Sequence, residues 1–300
     1  MPHNYLSVNT YCRRIFGCKV YKIALSAANT CPNRDGTVGV GGCSFCSAGG
    51  SGDFAAPAQL NVEEQITRAK SILGKKGDGL KYIAYFQSYT GTHGDICRLY
   101  SIYKRAIEQP DVVGISIATR PDCLGEEALL MIKRLYNIKP VWIELGLQTI
   151  HDKTAQLINR CYPLNAYEKA MEDLAKLGVH RITHVILGLP GENRAEMLET
   201  VKFAAEKSDG IKLQLLHVIS GTKLAESYNN GEFEVLKPNE YYELIADALS
   251  LIPEDVVIHR LTGDGAKKDL IAPLWSADKK RVLADLNRTL RKRGIYPQKA

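Results

Sequence analysis

Cys31, Cys43 and Cys46 sit in the segment CPNRDGTVGVGGCSFC. Three thiolates can hold three corners of a cubane [4Fe–4S] cluster and leave the fourth iron without a protein ligand. An open iron can bind a small molecule, and one-electron, radical chemistry follows from that. The competing reading is structural zinc, for which C-x2-C is a common half-site. Such a site takes four ligands, often from a second C-x2-C or an H-x3–5-H pair. His180 and His184 have that mutual spacing, but they straddle a predicted strand start far along the chain. Glycines at 36, 39, 41 and 42 let the loop turn back, so that Cys31 can approach the pair. Cys12, Cys18, Cys97, Cys123 and Cys161 have no tight metal spacing and read as small buried or unreactive thiols.

The elements that must position this loop follow a repeated pattern. Apolar, β-branched runs predict strands at 19–25, 81–86, 112–117, 141–147, 181–188, 211–218 and 256–261. Amphipathic runs predict helices near 61–74, 95–108, 125–136, 165–177, 193–207, 239–251 and 277–293. Asn61 with Glu64, Asn165 with Glu168 and Asn193 with Glu196 have capping-box spacing, and Gly74 and Gly178 mark helix ends. The alternation predicts an α/β fold with parallel strands and crossover helices. Periodicity alone leaves an open or closed barrel and a doubly wound sheet as alternatives. In either, the C-terminal ends of the strands face the site. The cysteines directly follow the run at 19–25, which puts them there. The segment 221–238 reads as an excursion between core and C-terminal extension.

The polar residues at the other strand ends are Gln87, Ser88 and Tyr89, then Thr119, Arg120 and Asp122, then Glu144 and Gln148 within ELGLQT. A polar group in an otherwise apolar strand needs a partner, and a ligand can supply one. GLPGE, with Gly188, Pro190 and Gly191, lets backbone approach a ligand or makes an ordinary strand-to-helix turn. His217, Arg260 and Asp264 are substrate-side candidates, and Arg260 and Asp264 can instead pair with each other. Tyr85, Tyr89 and Tyr162 can stack on a base or belong to the core.

Among 300 residues, 45% are hydrophobic and 24% charged, values that fit a large globular core and exclude a disordered chain. No apolar stretch reaches the eighteen or so residues of a membrane span, and the N-terminal segment lacks a secretory h-region. A cytoplasmic protein with no membrane partner is expected, in which cysteines are ligands or thiols rather than disulfides. The formal charge of +6 is uneven. Residues 1–22 carry four basic side chains and no acid, and 279–300 carry eight against Asp285 alone. Basic ends on an acidic body suit a polyanion, most plausibly nucleic acid, or are simply solvated.

A cysteine triad after the first run of a repeated strand–helix pattern resembles the radical S-adenosylmethionine (radical SAM) superfamily. Its commonest spacing is C-x3-C-x2-C, whereas this chain has C-x11-C-x2-C. CPNRDG followed by GGCSFC resembles the YtqA/YhcC-type branch, related to the radical SAM domain of elongator-type tRNA enzymes and more distantly to oxygen-independent coproporphyrinogen oxidases. The resemblance runs from about Tyr11 to Arg293. It implies a partial (β/α)6 TIM-like barrel over residues 1–225 and a C-terminal α/β extension over 226–300. It also implies a [4Fe–4S] cluster on Cys31, Cys43 and Cys46, and S-adenosylmethionine chelating the open iron and cleaved to a 5′-deoxyadenosyl radical. Gln148 matches the glutamine that reaches the cofactor's ribose, and Arg160 the arginine that pairs with its carboxylate. Glu144, Thr119, Gly188 and Ser88 complete the expected cofactor side. Relatives often have Gly-His after this arginine; Cys161 and Tyr162 stand there instead, so no role of that histidine carries over.

The function implied is modification of a tRNA wobble uridine, with flavodoxin or ferredoxin as electron donor. The rival enzyme reading takes a tetrapyrrole or other small molecule as substrate. A non-catalytic metal-binding or electron-transfer module is the third reading.

Overall fold

The computed structural model describes residues 3–50, 52, 55–73, 80–263, 265 and 267–300. The Gly74 and Asp264 expectations fall outside these residues. The chain opens with β1 (His3–Ser7) and α1 (Val8–Phe16). Six strand–helix steps follow, with β2 (Val20–Leu25), α2 (Val62–Leu73), β3 (Lys81–Phe86), α3 (Ile96–Ile107), β4 (Val112–Thr119), α4 (Glu126–Tyr136), β5 (Val141–Gln148) and the short α5 (Asp152–Leu157). Then come α6 (Leu164–Leu177), β6 (His180–Leu187), α7 (Arg194–Lys207) and β7 (Gly210–Leu215). The remainder is β8 (Val218–Ile219), α8 (Lys223–Asn229), α9 (Pro238–Leu251), β9 (Val257–Arg260), β10 (Leu270–Ala272), α10 (Lys279–Lys292) and β11 (Ile295–Pro297).

Nine strands form one sheet in the order β11-β1-β9-β7-β6-β5-β4-β3-β2, and every neighbouring pair is parallel. Strands β2 to β7 lie side by side in chain order, as successive right-handed crossovers require. The sheet has edges at β2 and β11. This settles the architecture left open by periodicity in favour of a partial barrel with a parallel continuation. Fully buried Leu25, Ile115, Ile143, Leu145, Leu213 and Leu249 belong to one large core joining the strands to the surrounding helices.

Local chemistry sets the boundaries. Asn61 and Glu64 exchange bonds of 2.9 and 3.0 Å, and Asn193 with Glu196 closes a second capping box. The third expectation is corrected: α6 is capped at Pro163, so Asn165 lies inside the first turn. Proline at 163 starts the helix early because its φ of −77° already suits entry to a helix.

The N-terminal pair β1 and α1 has no counterpart in the strand pattern read from sequence. β1 pairs with β9 and β11, both from the far end of the chain, so no local signal announces it. Ser7 caps α1 through Thr10 N at 3.1 Å, and Gly17 ends it at φ +70°. Cys12 on α1 packs with Ile83, Trp142 and Ile182 in a separate apolar cluster. The segment 221–238 contains α8, which touches the cysteine loop through Leu224 N to Ser44 O at 3.0 Å. β8 and β10 form a two-stranded antiparallel sheet beside it.

Candidate functional site

The cysteine loop leaves the end of β2 and is fixed by its own backbone. Arg34 N and Asp35 N donate to Cys31 O at 2.8 and 3.1 Å, and Cys46 N to Cys43 O at 3.0 Å. The fully buried Asn33 donates from Nδ2 to Asn159 O at 2.7 Å, and Asn159 Nδ2 returns a bond to Gly42 O at 2.8 Å. Gly42 has φ +81°, and a Cβ there would stand 2.7 Å from Arg34 Nε. That guanidinium holds Cys46 O at 3.0 Å and Ser47 O at 2.6 Å, so glycine at 42 makes room for the clamp.

All three cysteines are free thiols and line one cavity of about 1200 Å³. Burial, and then Cys46, push the Cys43 thiol up to about 12. Bound iron inverts this preference by stabilising the thiolate. Asn33 Nδ2 stands 3.7 Å from Cys43 Sγ and can donate to a ligated sulfur. No three His, Cys, Asp or Glu side chains among the described residues converge as on a single ion. Thiolates that each bind a different iron of a cubane need not converge in that way. The free thiols, the donor beside Cys43 and the shared cavity fit a three-thiolate cluster.

Backbone strain gathers around this cavity. Among non-glycine residues, Ala28, Tyr89, Gln148, Asn159 and Cys161 have positive φ between 50° and 67°. Such conformations cost roughly 1–3 kcal/mol each and concentrate at functional sites. Gln148, at φ +67°, lines the cavity and has a buried Oε1 with no hydrogen-bond partner. Its amide is therefore ready for a ligand hydroxyl. A Cβ at Gly146 would lie 2.7 Å from Gln148 Nε2, so that glycine admits the side chain.

The other expected residues divide clearly. Thr119 lines the cavity and shares a 2.6 Å hydroxyl contact with Thr92. Arg160 also lines it, but its guanidinium donates to backbone carbonyls of Leu147 and Thr149 at 3.0 and 2.5 Å, and of Tyr162 at 3.0 Å. It ties the end of β5 to the turn at 159–162. Arg120 chelates Asp122 at 2.9 and 2.7 Å and donates to Arg160 O at 3.0 Å. Ser88 and Gly188 lie outside the cavity lining; the Gly188 N–H meets Met197 Sδ at 3.1 Å. His217, Arg260 and Tyr162 line it, and a Cβ at Gly263 would stand 2.8 Å from the His217 ring. Cys161 is exposed, with Sγ donating to Asn159 Oδ1 at 3.1 Å.

Glu144 is the centre of a buried charge cluster. Its Oε1 accepts from Lys22 Nζ at 2.7 Å and Ser116 Oγ at 2.5 Å. Its Oε2 accepts from His184 Nε2 at 2.7 Å and from Lys212 Nζ. Four donors fill the acceptor directions of a carboxylate. Burial opposes the charge, yet Lys212, Lys22 and His184 hold the carboxyl well below its usual range. Lys212 is driven down to about 7, chiefly by burial against the pull of Glu144. Burial likewise pushes His184 down to about 4, so it is neutral.

Lys22, His184 and Lys212 carry no weight in the sequence reading, although a signal exists. Each of β2, β4, β5, β6 and β7 has at least one polar residue where the period-2 pattern calls for an inward apolar one, among them Lys22, Ser116, Glu144, His184 and Lys212. Neighbouring rungs then bring them together, as His184 opposite Lys212 does.

The sequence profile of the Radical SAM superfamily matches residues 27–204, and that of the Radical SAM C-terminal domain matches 208–292. YtqA of Bacillus subtilis is 43% identical over 98% of this chain and 92% of its own length. A Methanocaldococcus jannaschii protein named tRNA uridine(34) acetyltransferase is 30% identical over 51% of this chain and 28% of its own. The archaeal Methanocaldococcus infernus Elp3 structure superposes at a TM-score of 0.69 with 20% identity. That match covers 92% of this chain but 63% of the Elp3 chain. With its cysteine loop at the end of the first barrel strand, this chain belongs to the radical SAM superfamily, whose cofactors are a [4Fe–4S] cluster and S-adenosylmethionine.

Proposed function

We propose that this chain is a radical SAM enzyme that modifies tRNA at the wobble uridine. One observation carries the reading: the cavity holding the three cysteines is lined, among the described residues, by nine Lys or Arg and a single carboxylate, Glu144. Lys279, which lines it, begins α10, where Lys280, Arg281, Arg288, Arg291 and Lys292 are exposed. A basic helix starting at the cavity suits phosphates lying alongside a base that enters it. The similarity to a tRNA uridine(34) acetyltransferase supports the same reading.

When bound, a reduced cluster would supply one electron to S-adenosylmethionine, giving methionine and a 5′-deoxyadenosyl radical able to remove hydrogen from a substrate. The chain's contribution is position, electrostatics and exclusion of water. Cys31, Cys43 and Cys46 hold the cluster, and Gln148 and Thr119 face the cofactor. Arg160 fixes the turn that presents Gln148. A low-potential carrier such as flavodoxin or ferredoxin supplies the electron, in the cytoplasm.

Gel-shift titration with tRNA at two salt concentrations tests the partner, with steep weakening at higher salt expected. Neutralising Lys280, Arg281, Arg288, Arg291 and Lys292 to Gln should weaken binding and flatten that dependence. No retardation at low salt overturns the tRNA reading. Release of 5′-deoxyadenosine after anaerobic reconstitution, lost in Cys31→Ala, tests the enzyme separately from a passive cluster carrier. Nucleoside analysis of tRNA from a deletion strain then identifies the modified position.

A further inference from the structure

The Glu144 cluster holds two ammonium groups against one carboxylate. Lys212 is 2% exposed and Glu144 fully buried. A buried cation is costly unless its charge is matched, at several kcal/mol per ion. His184 is neutral and cannot add negative charge. With Lys212 protonated, the trio of Lys22, Lys212 and Glu144 therefore has one positive charge in excess.

Donor capacity points the same way. An ammonium has three N–H donors. Lys212 directs one to Glu144 and one to Tyr85 Oη at 3.0 Å, which leaves a third. Glu144 has no acceptor direction left for it. Lys22, Tyr85 and Lys212 all line the cavity that contains the three cysteines. We infer that Lys212, with Lys22 and Tyr85, forms a subsite on the inner barrel wall that binds a carboxylate of the substrate.

One monoanionic carboxylate neutralises the trio, whereas a phosphate dianion overshoots it by one charge. The groups facing Lys212 are Lys22 from β2, Tyr85 from β3, Glu144 from β5, His184 from β6, and His259 and Arg260 from β9. The empty subsite leaves this amine largely neutral in mildly alkaline solution, and an anion should return its proton. Binding is thus coupled to proton uptake at Lys212. The inference relies on the proposed function only in taking this cavity as the substrate's.

The test is calorimetry on the full chain, reconstituted anaerobically, with acetate as probe, at pH 8 in two buffers of different ionisation enthalpy. Acetate should bind with uptake of most of one proton, because a group of pKa about 7 is largely deprotonated at that pH. Lys212→Arg should keep binding within about threefold and abolish the uptake, because arginine is always protonated. Lys212→Met should weaken binding at least about tenfold, as loss of a charged partner does. Binding without uptake by the native chain overturns the inference, and this measurement stands even if Lys212→Met fails to fold. Unchanged affinity in folded Lys212→Met also overturns it. Inorganic phosphate binding more tightly than acetate overturns the choice of carboxylate. S-adenosylmethionine cleavage in the same preparation reports on the radical reading independently, so failure of one does not imply failure of the other.

Discussion

Gln148 joins three properties that rarely coincide: a left-handed backbone, a buried unpaired oxygen and a place on the cavity wall. Replacing Gln148 by Gly relieves the strained φ but adds freedom to the unfolded chain. The two effects oppose each other, so stability should change by no more than about 1 kcal/mol. S-adenosylmethionine affinity should fall about three- to tenfold, the worth of one lost hydrogen bond. Equilibrium dialysis beside urea denaturation separates the two. The residues around Glu144 also fix the response to acid. The His184 imidazole titrates near 4 in the fold against an ordinary 6.5, so the unfolded chain binds its proton first as pH falls through that window. Lys212 titrates near 7 against 10.5, so its unfolded form is protonated first between those values. Glu144, held below 4.5, loses its contribution at still lower pH. All three make the fold more stable as pH rises. The melting midpoint should climb from pH 5 to pH 8.5, and Lys212→Met should flatten the part above pH 7; a midpoint highest in acid contradicts this account.

At the scale of elements, α10 has two separable faces. Val282, Leu286 and Leu290 are buried and belong to the main core, while its basic residues face solvent. Leu286→Ala should therefore cost about 2–5 kcal/mol by opening a cavity. The Gln-substituted basic face should leave denaturation nearly unchanged, because exposed pairs such as Arg288 with Asp285 contribute about 0–1 kcal/mol each. Urea unfolding of both variants checks this contrast. It also shows why deleting residues 277–300 would be a poor test of tRNA binding: the deletion strips core as well as charge. The seven helices read from the sequence were legible because their apolar stripes and capping residues are local, whereas α1, α5 and α8 were not read. Asn165 misled because the proline two residues earlier offers a better start.

At the scale of the molecule, the two ends of the described chain meet. Gln298 N donates to Tyr5 O at 2.9 Å, Thr10 Oγ1 to Gln298 O at 3.0 Å and Arg14 Nη1 to Gln298 Oε1 at 2.9 Å. Ile295, 2% exposed, adds apolar burial. Removing residues 295–300 should cost on the order of 5 kcal/mol, from about 1 for each of these three hydrogen bonds and about 2 for the side chain. Differential scanning calorimetry should show the midpoint lowered by roughly 10 °C, at about 2–4 °C per kcal/mol; an unchanged midpoint would show that β1 and α1 hold without β11.

The sequence by itself determined the cysteine triad and the alternation of strands and helices along the chain. Those features depend on spacing and periodicity within a few residues of one another. The tertiary structure alone decided that the sheet continues through β9, β1 and β11, that Arg160 spends its donors on backbone, and that five inward polar residues meet around Glu144. Each of these depends on partners far apart in the chain, as Lys22 and Lys212 are on either side of Glu144. Charge balance in a low-dielectric interior is set by distance in space, which a linear pattern does not contain.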